Sequence, residues 1–312
     1  MENHCSTFLH VYQRCQDLGV LFYTLEDRLV YYTLAAVKSK KHNVKVVAAS
    51  QMFTHTHQSV LAELLSDVSG YFHDLDTSFS RLYNFRHSRN GRLFDRPTGI
   101  SMKRSSKDKR SNIIYVYNNH VEKGLCQSAV EERWSLLAYG LSDHPFSAAI
   151  DPKTASATLK KVMKLVDLRI RKLKALEYAD LDKILPVLNA EETEQFTDYV
   201  ISRYALIDFR LAAMHFRSME DMVRAVDSAT GGEFQIREER TREKDRAYDV
   251  LIRKACAGGF LDHIFTMTAK EKTELALELF GRTGVSMLQI GKFLHLKIMQ
   301  PDCCAGADAV WW

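Results

Sequence analysis

The chain has 312 residues, of which 46% are hydrophobic and 26% are charged, and its formal net charge is +4. This length favours two domains over one small core, and the composition is typical of a globular protein. No stretch approaches 18 uninterrupted apolar residues, and the first 15 residues lack a basic start followed by an apolar run. We therefore expect neither a transmembrane helix nor a secretory signal, and a cytoplasmic location. The six cysteines form no CxxC pair, which argues against structural zinc and a disulfide framework.

The N-terminal half alternates between predicted strands and predicted helices. Short β-branched or alternating stretches predict strands at 6–13, 44–51, 53–60 and about 93–102. Apolar residues at helical spacing predict helices at 25–40, 61–84 and about 107–123. The order strand, helix, strand, strand, helix, strand, helix predicts an α+β fold. Its sheet would be antiparallel and ferredoxin-like, with one more helix appended.

Beyond about residue 145 the strand signals fade, and helices are predicted at 152–175, 178–188, 191–216, 218–229, 236–256 and 268–296. Gly, Ser, Asp and Pro cluster in Gly140–Pro152, so we predict a catalytic domain at 1–145 and an all-α domain at 146–312. Residues 268–296 resemble the first part of a helix-turn-helix, with Gly284 at the turn. The segment that follows makes a poor recognition helix. A plain helical bundle that covers the first domain or supports dimers therefore remains an alternative.

A strongly basic stretch lies between residues 81 and 110. It holds ten Lys and Arg residues against two Asp residues, for a net charge of +8, and Tyr83, Phe85 and Phe94 are interleaved with them. Basic side chains contact phosphates and aromatic faces stack on bases, so this composition is typical of a nucleic-acid surface. A solvated charged loop explains the run alone equally well.

Four side chains could form a reaction centre. His55 and His57 stand two apart on a predicted strand and so point to the same face, where two imidazoles could bind one divalent ion. Tyr115 and Asn119 stand four apart on one face of a predicted helix. The amide oxygen of Asn119 suits Mg²⁺ or Mn²⁺, and the phenol of Tyr115 could serve as a nucleophile.

Each of these signals is weak by itself. A chance HxH pair is expected about 0.5 times in a chain of this length and histidine content. Tyr115 stands beside Ile113, Ile114 and Val116 and could equally be a core aromatic.

Four segments in the right order resemble one protein family. Residues 52–57, MFTHTH, resemble the MPNHVH strand of REP-associated tyrosine transposases, within the HUH single-tyrosine transposase group. Residues 83–94, YNFRHSRNGRLF, resemble their YNxRHxRxGxLF stretch. Residues 115–125, YVYNNHVEKGL, resemble their YIxxNPVxAGL helix, and Arg133-Trp134-Ser135 resembles the WS element that follows. The resemblance covers roughly residues 6–140.

The resemblance implies a ferredoxin-like fold that binds DNA hairpins and single strands. By position, His55, His57 and Asn119 would hold Mg²⁺ or Mn²⁺, and Tyr115 would be the nucleophile. The implied reaction is metal-dependent cleavage and rejoining of single-stranded DNA through a 5′-phosphotyrosine, by a monomer or a homodimer. Six basic side chains are candidate DNA contacts: Arg86, Arg89, Arg92, Arg96, Lys103 and Arg104. His87 would be a DNA contact or a structural group rather than a metal ligand.

Several positions depart from the family pattern. They are Thr54 for Asn, Thr56 for a bulky apolar residue, Gln58 and Ser59 in a normally apolar run, and His120 for Pro. Tyr117 is a second tyrosine, which a helix turns about 200° away from Tyr115. We therefore expect Tyr117 to be a poor substitute, and every side chain that the chemistry needs is still present.

Three other functions are alternatives to the transposase interpretation. A non-cutting DNA-binding protein could use the same fold. A ferredoxin-like RNA-binding module would need exposed aromatic residues on its central strands. A metal-dependent hydrolase would need a carboxylate near the two histidines, and the nearest in sequence is Glu63, which we predict on the following helix.

Overall fold

The computed structural model describes residues 6–16, 19–95, 98–228 and 242–296. It is an α+β protein built on one four-stranded sheet, whose strands are β1 (Thr7–Arg14), β2 (Lys45–Gln51), β3 (His55–Ala62) and β4 (Gly99–Met102). The strand order is β2-β3-β1-β4, and all neighbouring strands are antiparallel. The predicted strand near 93–102 is shorter than expected, because only its last four residues pair with β1 and Phe94 makes an isolated bridge with Cys15.

Three helices alternate with these strands: α1 (Leu25–Lys41), α2 (Leu65–Arg86) and α3 (Ser106–Glu122). Capping fixes where two of them begin. The Thr24 hydroxyl accepts from the Asp27 N–H at the start of α1, and Ser105 does the same for Asp108 at the start of α3. In both cases the aspartate side chain accepts in return from the backbone of the capping residue, which satisfies two otherwise unpaired donors.

The two faces of the sheet are covered by different helices. Pairing of Tyr12 with His57 and of Arg14 with His55 puts these side chains on the face against which α3 packs. On the opposite face, hydroxyls from α1 and α2 reach the strands. Tyr31 donates to Gln13 Oε1 at 2.9 Å, and Tyr71 donates to Gln58 Oε1 at 2.8 Å. The unusual polarity of β3 is therefore matched by buried hydrogen bonds.

The rest of the chain is helical. Its helices are α4 (Ala157–Arg171), α5 (Tyr178–Ile184), α6 (Ala190–Tyr204), α7 (Phe209–Ala213), α8 (Met219–Ser228), α9 (Arg242–Ala257), α10 (Ala269–Thr283) and α11 (Met287–Leu294). The helix predicted at 191–216 is broken at Ala205, whose φ of 46° ends α6. The segment 268–296 is likewise divided, at Gly284 with φ of 65°. The predicted helix at 236–256 lies outside the described residues before residue 242. No helix in the described ranges is long and apolar enough to cross a membrane.

Two clusters of buried apolar side chains hold the fold together. The larger one extends from Phe8 on β1 to Val226 on α8, and it therefore continues across residue 145. The smaller one joins α9, α10 and α11 to Val20 and Tyr23. The Tyr23 hydroxyl also donates to the carbonyl oxygen of Phe293, at 2.9 Å, so α11 is fastened to the segment before α1. The domain division and the helix-turn-helix stay predictions.

Asp27 connects three parts of the fold through one buried carboxylate. It accepts a hydrogen bond from Tyr178 on α5 at 2.7 Å and pairs with His87 Nε2, just after α2, at 2.9 Å. The Tyr23 N–H also donates to it, at 2.9 Å. Burial alone would raise the pKa of Asp27, but the hydrogen bond and charge of His87 and the hydrogen bond from Tyr178 outweigh it and lower that pKa.

Replacing Asp27 with asparagine should lower the free energy of unfolding by about 3–5 kcal/mol at pH 7, because a neutral amide takes the place of the buried carboxylate that is paired with His87. A carboxylate whose pKa is lowered in the folded state stabilises the fold at pH values above its ordinary pKa of about 4. This contribution is lost as the pH falls through the lowered pKa. Urea unfolding should therefore show a smaller difference from wild type at pH 3. The control is Asp74→Asn, which removes a partly exposed partner of Lys41 and His42 and should cost no more than about 1 kcal/mol. Equal losses for both variants would contradict this role of Asp27.

Candidate functional site

His55 and His57 lie side by side on β3, with their ring centroids 4.9 Å apart. Both side chains are buried, with 1% of their surface exposed. One nitrogen of each ring is engaged: His55 Nδ1 lies 2.8 Å from Thr54 Oγ1, and His57 Nδ1 lies 3.0 Å from His10 Nε2. The Nε2 atom of each ring has no hydrogen-bond partner. This arrangement is typical of metal-binding histidines, whose second nitrogen is held by an outer group.

Both imidazoles are neutral at pH 7. Burial lowers the pKa of His55 and of His57 well below the usual value, and the nearby charges of Arg14 and Lys123 lower it further. A neutral ring keeps one lone pair, which a metal ion requires. In the described part of the chain, no three His, Cys, Asp or Glu side chains gather as metal ligands. A divalent ion at this place would therefore depend on a ligand of another type, such as an amide.

Tyr115 and Asn119 lie one turn apart on α3, and Tyr115 packs against His57. The Tyr115 ring stands edge-on to His57 and to His10, at centroid distances of 5.4 and 5.6 Å. Asn119 is fully buried, and its Nδ2 donates to the carbonyl oxygen of Tyr115 at 2.9 Å. This bond leaves the amide oxygen of Asn119 available, and that atom has no hydrogen-bond partner. The structure thus brings the Tyr115 ring against His57 and the Asn119 amide against the backbone of Tyr115.

Tyr117 and His120, also on α3, make other contacts. The Tyr117 hydroxyl donates to the carbonyl oxygen of Val47 on β2, at 3.3 Å, and its ring is fully buried. His120 is buried too, and burial lowers its pKa to about 4. These contacts separate Tyr117 from the histidine pair, in line with the 200° turn expected from helix geometry.

Three side chains of β1 that belong to none of the sequence motifs border the site. His10 contacts His57 and Tyr115, and burial together with the charge of Lys103 lowers the pKa of His10 to about 4. The Tyr12 ring stacks on His57 with centroids 5.2 Å apart, and the Arg14 guanidinium lies 5.1 Å from the Tyr12 ring centre. Tyr12 and Arg14 are partly exposed. The Tyr12 ring, which contacts both histidines, thus also reaches solvent.

Of the predicted DNA contacts, Arg86 is engaged within the protein. Its guanidinium pairs with Asp182 at 3.0 Å and lies 5.6 Å from the ring centre of Tyr178. Arg92 and Arg104 are exposed, and Lys103 Nζ donates to Ser101 Oγ at 3.1 Å beside β4. Arg96 lies outside the described residues. Because it is already paired, Arg86 is a weaker candidate for phosphate binding than Arg92 and Arg104.

Arg89 and Arg92 border a cavity of about 370 Å³ between the Asn90-Gly91 loop and α11. Lys292 and His295 line it from the end of α11. Burial and the charges of Arg89 and Lys272 lower the pKa of His295 to about 3, so its ring is neutral. No carboxylate is among the described residues that line this cavity. The cavity therefore favours an anion.

Two other predicted roles are clarified by the structure. His87 is a buried structural group, because its ring pairs with Asp27 and packs on Phe265 with centroids 4.1 Å apart. The prediction that Glu63 lies on the following helix is wrong, because α2 begins at Leu65. Glu63 follows the end of β3, about 25 Å from His55 along the strand. The carboxylate that a hydrolase would need is not supplied by Glu63.

Comparisons with known proteins find little similarity. The sequence matches no known protein family and no curated protein. A search of solved structures finds a REP-associated tyrosine transposase bound to a REP hairpin, with a TM-score of 0.37 and 13% sequence identity. That match covers 48% of this chain and 90% of the other. At this level, the likeness is too weak to support an argument about activity.

Proposed function

We propose that this protein cuts and rejoins single-stranded DNA, with Tyr115 as the nucleophile that forms a 5′-phosphotyrosine. The observation that carries the proposal is the packing of Tyr115 against His57, together with three buried polar atoms on β3 and α3 that have no hydrogen-bond partner: His55 Nε2, His57 Nε2 and Asn119 Oδ1. A buried polar group without a partner costs about 1–3 kcal/mol. Three of them on a strand and a helix that pack together favour a site that binds a ligand over an ordinary core.

The ferredoxin-like assignment belongs to the same proposal. The alternation β1-α1-β2-β3-α2-β4 and the sheet order β2-β3-β1-β4 support it.

The three atoms fit a divalent ion. Imidazole nitrogens bind divalent transition metals and an amide oxygen suits both Mg²⁺ and Mn²⁺, so His55, His57 and Asn119 would hold the ion. A bound ion would withdraw charge from the scissile phosphate and make its phosphorus more electrophilic. Arg14 and Lys123 lie near the pair and would add positive charge for the phosphate while weakening the binding of the cation.

The reaction conserves the phosphodiester. The phenol oxygen of Tyr115 bonds to phosphorus, the bond to the 3′ oxygen breaks, and the phenol proton ends on that oxygen. The DNA remains attached as an aryl phosphate ester, which a later 3′-OH can attack in the reverse sense without a nucleoside triphosphate. The His10 ring stands edge-on to the Tyr115 ring, and it would carry the proton between the two oxygens.

Access to Tyr115 requires a local movement, because only 3% of its surface is exposed. A reacting phosphate must come within about 3–3.5 Å of the attacking atom. Tyr12, whose ring contacts both histidines, and Arg14 beside it are partly exposed, so their rotation would admit a phosphate. The Arg14 guanidinium would then be available to bind it.

Burial of Tyr115 also favours a second candidate function. A protein of the same fold could bind DNA through its basic surface without cutting it, and Tyr115 would then be a core aromatic. The two functions differ in whether a covalent bond to DNA forms.

The experiment that separates them uses DNA hairpins with single-stranded flanks, labelled at either end and incubated with Mn²⁺. Cleavage through a 5′-phosphotyrosine should leave the 3′-labelled fragment on the protein after denaturation, while the 5′-labelled fragment is released. Binding of both substrates without any denaturation-resistant adduct would support the non-cutting protein.

If the cavity bordered by Arg89 and Arg92 binds DNA phosphates, the affinity for DNA should depend on salt concentration in a specific way. Arg89→Ala and Arg92→Ala should each weaken hairpin binding and reduce the slope of log affinity against log salt by about 0.7–0.9, the contribution of one phosphate contact. Binding titrations between 50 and 200 mM salt measure this slope. The control is Arg86→Ala, which removes an arginine already paired with Asp182 and should leave the slope unchanged. A slope altered only by Arg86→Ala would place the phosphates on another surface.

A further inference from the structure

A chain of three buried polar groups leads from the histidine pair to the C-terminal helices. His55 Nδ1 lies 2.8 Å from Thr54 Oγ1, and Thr54 Oγ1 donates to Asp245 Oδ1 at 3.4 Å. Thr54 is 7% exposed and Asp245 is 1% exposed. Asp245 belongs to α9 and stands 191 residues after Thr54 in sequence. The helical half therefore places a carboxylate behind the candidate site.

The chemistry of these groups fixes the direction of both hydrogen bonds. Thr54 Oγ1 is the donor to Asp245 Oδ1, so the single hydroxyl hydrogen of Thr54 points to the carboxylate. The Thr54 oxygen must then accept, and the hydrogen of the second bond comes from His55 Nδ1. A neutral imidazole carries one hydrogen, which leaves the lone pair on His55 Nε2. That atom is the one without a hydrogen-bond partner.

The opposite tautomer would be less stable in this surrounding. If Thr54 donated to His55 Nδ1, the hydrogen would lie on His55 Nε2, which has no acceptor. Asp245 would lose the same hydroxyl hydrogen. A hydrogen bond to a charged group is stronger than one between neutral groups, so the arrangement that serves the carboxylate prevails.

We infer that Asp245 and Thr54 are positioning residues that hold His55 in the tautomer with hydrogen on Nδ1, so that Nε2 faces the site as a ligand. This inference rests on the proposed function for its purpose, since a metal ligand needs that lone pair. It gives Thr54, which replaces the usual Asn, a defined task. It also assigns α9 a part in the site.

The test uses the full chain without metal, labelled with ¹⁵N in histidine. Long-range ¹H–¹⁵N correlation spectra distinguish the two neutral tautomers, and the His55 signals are identified by their loss in His55→Gln. Wild type should show hydrogen on Nδ1. Asp245→Leu removes the acceptor and should move His55 to the Nε2 tautomer, with Mn²⁺ affinity reduced about 10–100-fold.

Matched variants keep the result interpretable. Asp249→Leu, one turn further along α9 and paired with Arg253, should leave the His55 spectrum unchanged. Thr54→Val removes the hydroxyl that connects His55 to Asp245, and Thr54→Ser keeps it. The valine variant should therefore show the Nε2 tautomer and the weaker Mn²⁺ binding, and the serine variant should behave as wild type, even if Asp245→Leu folds poorly. An Nε2 tautomer in wild type, or no change in Thr54→Val, would overturn the inference. Because the spectra need no cleavage, their outcome is independent of whether the adduct forms.

Discussion

Tyr115→Phe should abolish the covalent protein–DNA adduct and reduce strand cleavage by at least about 1000-fold, since removing the nucleophile of a covalent enzyme can cost about 10⁶ in kcat. The substitution removes the atom that would bond to phosphorus in the proposed reaction and keeps the ring that packs on His57 and His10. Hairpin binding and the midpoint of urea unfolding should therefore stay close to wild type. The adduct is measured with the 3′-labelled hairpin after denaturation.

Two other tyrosines serve as matched controls for this variant. Tyr12→Phe alters a ring stacked on His57, and Tyr117→Phe alters a hydroxyl bonded to Val47 on β2. Both should still form the adduct. An adduct that persists in Tyr115→Phe but disappears in one of these controls would transfer the nucleophile to that residue. Tyr12 is the more serious rival, because its ring contacts both histidines.

The sequence predicted the elements of the first half because each carries a regular period. It also predicted that His55 and His57 point to the same face of a strand, because strand side chains alternate between the two faces. Tyr115 and Asn119 were likewise predicted on one face of a helix, because they are four residues apart. It could not give the register between strands, which depends on long-range pairing. His10, Tyr12 and Arg14 were missed for this reason, although they pair opposite Ser59, His57 and His55.

Contacts between distant segments explain the other differences. Arg86 belongs to the basic stretch, but it forms an ion pair with Asp182, almost one hundred residues later. Asp245 approaches His55 through Thr54 from the far part of the chain, where no local pattern marks it. The break after Tyr204 is also non-local, because the chain leaves α6 through Ala205 so that Ile207 can bridge Val46 on β2. Local periodicity contains none of this information.

The double variant His55→Ala, His57→Ala should lose Mn²⁺ binding by more than about 100-fold, because loss of an outer partner alone typically costs 10–100-fold. The concentration of free Mn²⁺ can be measured directly by electron paramagnetic resonance. Asn119→Leu removes the amide oxygen at similar size and should weaken binding less than the double variant does, since both imidazoles remain. Adduct formation should fall in parallel in each case, and chelation of the metal should abolish it in wild type.

His42→Ala is the control for this pair, because His42 lies on the other side of the sheet and pairs with Asp74. It should bind Mn²⁺ as wild type does. Undiminished Mn²⁺ binding in the double variant would place the ion elsewhere. An adduct that forms equally well in the double variant would remove the metal from the reaction and leave Arg14 and Lys123 as the charges that stabilise the phosphate. Because these two cations already lie near the histidines, the comparison decides whether this site is a metal centre or a cationic phosphate site.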